Sequence, residues 1–200
     1  MDLETGEWIV KFARKVIEAT VNKKEVEIPK KYPKELNEKR GAFVTIQTYP
    51  EKELRGCIGL PYPMQTLLNA IIEAGKEVCF DPRFPPLKKE ELKKITVEVS
   101  ILTEPKIIQV KKPEEYLEKI EIGKDGLIVV NSPFSGLLLP QVPIEYNWNA
   151  REFLRQTCLK AGLPPNCWQF ETTKILKFQA EIFRELEPNG KVIKVELKKD

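Results

Sequence analysis

The segment ELRGCIGLP, residues 53–61, places an arginine two residues before a cysteine. Side chains alternate between the two faces of an extended strand, so Arg55 and Cys57 would share a face. A guanidinium close to a thiol lowers the pKa of the thiol and raises the fraction of nucleophilic thiolate. Cys57 is therefore a candidate catalytic nucleophile or redox centre, and Arg55 is a candidate anion-binding residue.

The glycines of this segment are further binding candidates, whereas its cysteine and arginine also have a structural interpretation. Gly56 and Gly59 leave the backbone bare, which permits close approach of a substrate and makes both candidate binding residues. A buried cysteine, however, packs as a small hydrophobic residue, and an arginine pairs with a carboxylate. Because most free cysteines are inert, the R-G-C triplet taken alone favours this structural interpretation.

A second stretch with chemical potential is DPRFPP, residues 81–86, where prolines stiffen the chain. Arg83 is predicted to bind an anionic group through its planar guanidinium, and Asp81 to act as a base or to orient that arginine. Phe84 adds an aromatic ring to the same predicted binding site. The alternative is that Asp81 ends a turn and pairs with Arg83 on the surface.

Three further polar residues are candidates because of their positions beside apolar strands. The alternating segment ITVEVSIL, residues 95–102, predicts a strand on which Glu98 and Ser100 share one face. That face lies in solvent or lines a cleft, where Glu98 would be a catalytic acid or base and Ser100 a binding residue. Gln141 follows GLLLP and either binds a ligand or satisfies nearby backbone.

The composition excludes several classes of site. The chain has no histidine, which removes histidine-based triads and histidine metal sites, and its four cysteines form no CxxC pair. We predict neither a metal nor a cofactor. A disulfide framework is not expected at this length and cysteine density, and a reducing cytoplasm is the simplest context.

The charged residues indicate the kind of partner. The net charge is only +3, and 33 basic and 30 acidic residues are mixed along the chain, which supports nucleic-acid binding weakly. The prediction is an anionic small molecule or a protein partner. No apolar run reaches the ~18 residues of a membrane span. Counting gives 26 Lys and 26 Glu against 7 Arg and 4 Asp, a composition typical of thermophiles, so arginine and aspartate mark positions where geometry matters.

Periodicity along the chain predicts an α+β fold, mostly antiparallel sheet with helices, because hairpins join most of the strands. Short helical segments are expected at 88–93 and 113–120. The predicted main helices are 7–20, 64–78 and 149–161, and the predicted strands are 42–49, 54–58, 95–102, 126–130, 136–140, 173–185 and 191–198.

Proline-rich stretches near 29–33 and 82–86 predict a division within one domain. The larger subdomain would comprise about residues 1–28 plus 88–200, and the smaller about residues 29–87. A cleft between the two would place the candidate residues around one site.

The segment L-R-G-C-I-G, residues 54–59, resembles the hallmark of the AMMECR domain family. D-P-R-F-P-P, E-V-S-I-L, G-L-L-L-P-Q-V and W-N-A-R-E-F-L follow in the family's order, and the resemblance covers about residues 8–185 of an archaeal-like sequence. The chain departs from the family pattern at L-P-Y-P, residues 60–63. The resemblance implies an α+β fold with two unequal subdomains and a cleft. It also implies that seven residues gather at that cleft: Arg55, Cys57, Asp81, Arg83, Phe84, Glu98 and Gln141.

Two functions follow from these residues. The first is an enzyme that acts on an anionic substrate with Cys57 as nucleophile or redox centre. The alternative is a non-catalytic binding or scaffold module for a protein or nucleic-acid partner. A purely structural role for the L-R-G-C-I-G segment is a third interpretation.

Overall fold

The computed structural model describes residues 1–197, and the chain divides into two compact units. The first unit comprises Met1–Leu102 and Glu181–Val195. The second comprises Thr103–Ala180 and residues 196–197. Helices combine with antiparallel strand pairs, which confirms the predicted α+β class.

The helices and strands are numbered here in chain order. Five further segments form short 3-10 turns: Lys34–Asn37, Val78–Phe80, Lys89–Lys94, Pro113–Glu115 and Cys167–Gln169. The α-helices are α1 (Leu3–Val21), α2 (Leu67–Glu77), α3 (Tyr116–Lys119), α4 (Val142–Glu145) and α5 (Ala150–Lys160), and the strands are β1 (Gly41–Thr48), β2 (Leu54–Leu60), β3 (Ile95–Leu102), β4 (Lys106–Ile107), β5 (Asp125–Asn131), β6 (Phe134–Leu138), β7 (Lys174–Glu185) and β8 (Val192–Val195).

The first unit is a sheet with α1 and α2 packed on one face. Its strands run in the order β2-β1-β3-β7, with β8 paired to the second half of β7. Helix α1 begins at Asp2, whose carboxylate accepts from the backbone N–H of Thr5 at 2.8 Å and so caps an otherwise unpaired donor. The apolar stripe of α1 and the alternate residues Val44, Val97 and Val99 form the buried core between helices and sheet.

The register of this sheet decides which polar residues become neighbours. Thr45 on β1 lies opposite Cys57 on β2 and opposite Glu98 on β3, so the three form one row across the strands. Residues on such a row point to the same face, here the face opposite to that of Val44.

The second unit packs α5 against the β5–β6 hairpin, and β5 pairs with the first half of β7. A two-residue loop joins Asn131 to Phe134, so β6 begins two residues before the predicted strand 136–140 and ends before Pro140. Proline lacks the N–H that a further ladder hydrogen bond needs, which accounts for that end.

A disulfide joins Cys158 on α5 to Cys167, with Cα atoms 6.0 Å apart. The expectation that the cysteines form no disulfide was therefore wrong for this pair. Cys167 lies nine positions after Cys158, and only the packing of α5 on the following turn brings their Cα atoms within bonding range. Cys57 and Cys79 are free thiols.

The division into units differs from the predicted subdomains, which separated residues 29–87 from residues 1–28. In the structure α1 and α2 contact each other over one buried core, so both stretches lie in the first unit. The short elements β4 and α4 were not predicted, because two or four residues are too few to display a period. Residue 198 of the predicted last strand lies outside the described residues.

The described part of the chain was also compared with the dimensions of a bilayer. No helix within residues 1–197 combines the length and the apolar character needed to cross a membrane.

Candidate functional site

The centre of the candidate site is the contact between β2 and the turn that follows α2. A Cβ atom at Gly56 would lie 3.0 Å from the carbonyl oxygen of Val78 and 3.6 Å from Cβ of Asp81. Glycine at this position therefore lets the turn lie directly against the strand. At Gly59, a Cβ atom would lie 2.6 Å from Cα of Phe43, so this glycine serves the packing of β2 on β1.

Asp81 connects the strand to the turn through four hydrogen bonds. Its carboxylate is 2 % exposed and accepts from the backbone N–H of Cys57 at 2.9 Å and of Arg83 at 3.1 Å. The Arg83 side chain donates Nε to one oxygen at 3.0 Å and Nη2 to the other at 2.7 Å. Burial would raise the pKa of Asp81, but these hydrogen bonds outweigh it and lower the pKa to about 2. Such a carboxylate is a weak base, and its contacts make it a positioning group.

Arg83 is fixed on one side and open on the other. Nη2 also donates to the carbonyl of Cys57 at 3.2 Å, while the side chain remains 43 % exposed. The hydrogen bond to Asp81 raises the pKa of Arg83, so the guanidinium stays charged. Within residues 1–197, Nη1 of Arg83 donates no hydrogen bond. The group therefore presents free donors on a rigid base.

Phe84 lies between two guanidinium groups. The central carbon of Arg83 is 5.6 Å from the ring centroid, and that of Arg55 is 5.7 Å from it. Both distances are within the range of cation–π attraction. The ring thus contacts both arginines, while its role in binding a ligand remains a prediction.

Arg55 has its donors directed away from the thiol. Nε donates to Glu91 at 2.7 Å, and Nη2 donates to the second oxygen of Glu91 at 3.2 Å and to the carbonyl of Pro85 at 2.8 Å. Its side chain is only 12 % exposed. Arg55 therefore fastens β2 to the loop after Phe84, as the carboxylate-pairing alternative describes, and its role as an anion-binding residue remains a prediction.

The Cys57 thiol is protonated at neutral pH. Burial raises its pKa, and the Glu98 and Asp81 carboxylates raise it further. The Thr45 hydroxyl, which donates to Sγ at 3.2 Å, and the Arg83 guanidinium act in the opposite direction without reversing the shift. A resting thiolate nucleophile is thus disfavoured.

Glu98 lies on a strand whose eight residues are all buried. It is 3 % exposed and accepts from Nε of Arg184 at 2.6 Å. Ser100, two residues further on the same face, is fully buried, and its hydroxyl has no hydrogen-bond partner among the described residues. The predicted solvent-facing alternative is therefore wrong for both side chains, while their catalytic and binding roles remain predictions.

Gln141 belongs to the second unit, where it is 8 % exposed and directly precedes α4. Its backbone carbonyl accepts from the N–H groups of Ile144 and Glu145, both at 3.1 Å. Its role as a binding residue remains a prediction.

Sequence reasoning did not find three residues of the site. The position of Thr45 beside Cys57 follows from a strand register that no local pattern specifies. Nothing in the sequence distinguishes Glu91 from the many other glutamates. Arg184 did carry a signal, because arginine is rare in this chain, but it lies far from the other candidates in sequence.

The positive and negative side chains of the candidate site balance each other. Three arginines face three carboxylates in pairs: Arg55 with Glu91, Arg83 with Asp81, and Arg184 with Glu98. No group of three or more metal-binding side chains occurs in the part of the chain that the structure describes. The arrangement can present one exposed cation beside a protonated thiol and an aromatic ring.

Comparison with known proteins gives consistent results. The AMMECR1 family model matches residues 10–183. Protein MJ0810 of Methanocaldococcus jannaschii is 53 % identical over 198 residues, covering 98 % of each chain, and Protein PYRAB00100 of Pyrococcus abyssi is 53 % identical over 94 % of each chain. The crystal structure of the uncharacterized protein PH0010 from Pyrococcus horikoshii superposes with a TM-score of 0.94 at 50 % identity, over 98 % of this chain and 99 % of that one. The chain therefore belongs to the AMMECR1 family.

Proposed function

We propose that the protein is a ligand-binding module whose site around Cys57 binds an anionic group through Arg83. The observation that carries this proposal is the state of the Arg83 guanidinium, which is 43 % exposed although Asp81 holds it from within. Rigid presentation lowers the entropy lost when a ligand binds. An arginine whose outer donors are free binds carboxylate or phosphate through its planar edge.

The two arginines beside Phe84 have different roles in this proposal. Arg55 uses Nε and Nη2 on Glu91 and Pro85 and is largely buried, so it positions the ring. Arg83 contacts the ligand, while Phe84 offers an aromatic surface beside it. The predicted anionic small molecule fits this arrangement better than nucleic acid, which needs a concentrated basic surface.

Binding of small anions to Arg83 variants tests the proposal. Isothermal titration with inorganic phosphate, citrate and phosphorylated sugars should reveal a ligand that Arg83→Gln no longer binds. Arg40→Gln is the matched control, because Arg40 pairs with Glu38 at 3.5 Å elsewhere in the first unit and its removal changes the net charge equally. Binding that survives Arg83→Gln, or that Arg40→Gln weakens to the same extent, would contradict the proposal.

A second candidate function is an enzyme in which Cys57 reacts covalently with the bound ligand. The favouring observation is that the Thr45 hydroxyl donates to Sγ at 3.2 Å, a contact that stabilises a thiolate once it forms. Deprotonation then has to be induced by the ligand, since the resting pKa of Cys57 is raised.

Covalent trapping separates the two candidates. Incubation with a ligand identified by titration, followed by mass spectrometry, should show a Cys57 adduct only if the enzyme is correct. Cys57→Ser that keeps both ligand affinity and any turnover would remove the thiol from the mechanism. The cleft between predicted subdomains and the cytoplasmic location remain predictions in either case.

A further inference from the structure

A separate pocket of about 180 Å³ lies in the second unit, between α5 and the turn after it. We call it the Arg151 pocket. It lies in a part of the chain that contributes nothing to the geometry around Cys57 described above. Its lining residues are Arg151, Arg155, Pro165, Asn166, Trp168 and Gln169.

Arg151 differs from every other arginine of the chain. Within residues 1–197 its guanidinium has no carboxylate partner, and its central carbon lies 5.7 Å from the centroid of the Trp168 ring. The cation is therefore held over an aromatic ring with its hydrogen-bond donors unused. The six paired arginines are Arg14, Arg40, Arg55, Arg83, Arg155 and Arg184.

The second arginine of the pocket lies one helical turn further along α5. Arg155 is four residues from Arg151 and so lies on the same face of the helix. Nη1 of Arg155 donates to Glu152 at 2.7 Å, which leaves two guanidinium charges at the pocket against one carboxylate. The side chains of Asn166 and Gln169 add amide donors on the opposite wall.

The disulfide joins the two walls of the pocket. Cys158 is part of α5, which carries both arginines, and Cys167 begins the turn that carries Trp168 and Gln169. A covalent bond between the walls reduces the freedom that a ligand would otherwise have to freeze. The pocket is thus organised before any ligand binds.

We propose that the Arg151 pocket is a second ligand site and binds the phosphate group of a small phosphate monoester or of free phosphate. Two guanidinium groups and two amides supply more donors than one carboxylate accepts, whereas a phosphate group presents three acceptor oxygens and up to two charges. The proposal does not depend on the function assigned to the Cys57 site.

Phosphate titration of the full chain tests this proposal. Inorganic phosphate and phenyl phosphate are titrated while two-dimensional NMR follows the Trp168 indole N–H and the backbone amides of 150–156. Both probes should shift these signals saturably, and acetate should not. Tighter binding of phenyl phosphate identifies a monoester as the ligand class, and equal binding identifies free phosphate.

Variants assign the binding to Arg151. Arg151→Gln should weaken phosphate binding roughly tenfold or more, because it removes a charge-assisted hydrogen bond. Arg151→Lys keeps the charge without the planar fork. Its affinity for phosphate should therefore lie between that of the parent protein and that of Arg151→Gln. Lys160→Gln removes one positive charge from the exposed end of the same helix and should leave affinity unchanged.

Three results would overturn the proposal. If a folded Arg151→Gln protein binds phosphate with unchanged affinity, the Arg151 pocket is not the phosphate site. If Lys160→Gln weakens phosphate binding equally, the attraction of phosphate to the helix is nonspecific. Loss of the Trp168 shift in Arg83→Gln, with Arg151 intact, places the phosphate at the Cys57 site instead. Circular dichroism of each variant confirms that it is folded before it is titrated.

Discussion

Two arginine–carboxylate pairs in the first unit have similar hydrogen bonds but differ in how far the arginine is exposed to solvent. Arg14 on α1 donates Nε to Glu185 at 2.6 Å, and both side chains are almost completely buried. Arg83 donates Nε and Nη2 to Asp81 in a comparable fork, but its outer side is exposed. The pairs differ in whether the remaining guanidinium N–H groups of the arginine make hydrogen bonds within the protein.

In the buried pair, both side chains also make hydrogen bonds to backbone groups. Arg14 also donates to the carbonyls of Leu92 and Ile95, at 3.2 and 2.8 Å, and Glu185 accepts from the backbone N–H of Val97 at 3.0 Å. That arrangement fastens α1 to β3 and β7. At Arg83 the same fork leaves donors free on the exposed outer edge, and the proposal that Arg83 binds an anion rests on this difference.

Breaking the buried pair should have the largest effect on stability. Arg14→Met leaves the Glu185 carboxylate buried without its cation, and we expect a loss of about 3–5 kcal/mol in the free energy of unfolding. Urea denaturation of the variant measures this loss. Arg40→Gln, at a partly exposed pair, should change the same quantity by less than about 1 kcal/mol. A small loss in Arg14→Met would show that the two kinds of pair do not differ.

Asp81→Asn should have an intermediate effect. It weakens the acceptor for Cys57 N–H and for Arg83, and we expect a loss of about 1–3 kcal/mol at neutral pH. Because the folded pKa of about 2 lies below the unfolded value of ~3.9, the contribution of Asp81 is complete above the unfolded pKa. It is lost as the pH falls through about 2.

The acid dependence of stability checks this assignment. Between about pH 4 and 2 the parent protein should lose more unfolding free energy than Asp81→Asn, whose side chain cannot be protonated in this range. Parallel pH profiles for the two proteins would show that the low pKa is not a property of Asp81.

The two free cysteines should differ in alkylation. Cys57 should react with iodoacetamide more slowly at neutral pH than a free cysteine does, because burial and the nearby carboxylates raise its pKa. Cys79, which is 1 % exposed and has a pKa raised to about 12, should not react in the folded protein. Site-resolved mass spectrometry gives both rates, and a fast reaction of Cys57 at neutral pH would restore the activated-thiol hypothesis.

Arg83→Gln should have a smaller effect on stability than Arg14→Met. The variant leaves the buried Asp81 carboxylate with only the backbone N–H groups of Cys57 and Arg83 as donors, so we expect the free energy of unfolding to fall by about 1–2 kcal/mol, although anion binding is lost. A loss as large as that of Arg14→Met would make Arg83 a structural residue and remove the distinction on which the binding proposal rests.

Much of the fold could be predicted because it depends on local patterns. The stripe of α1, the alternation of β3 and the turns around β7 and β8 each follow from neighbouring residues. The candidate residues Arg55, Asp81 and Phe84 were also found locally, since arginine and aspartate are rare in this chain. What failed were statements about environment, such as the expectation of no disulfide, which the Cys158–Cys167 bond contradicts.

The amino-acid sequence by itself determined the main helices, most strands and the family. Only the tertiary structure decided which carboxylate each arginine meets, that Thr45 stands beside the thiol, and that Cys158 joins Cys167. The physical reason is that periodicity reports which face of an element is apolar. Ion pairing, pKa and disulfide formation depend on distances between residues that the chain brings together only when its elements pack.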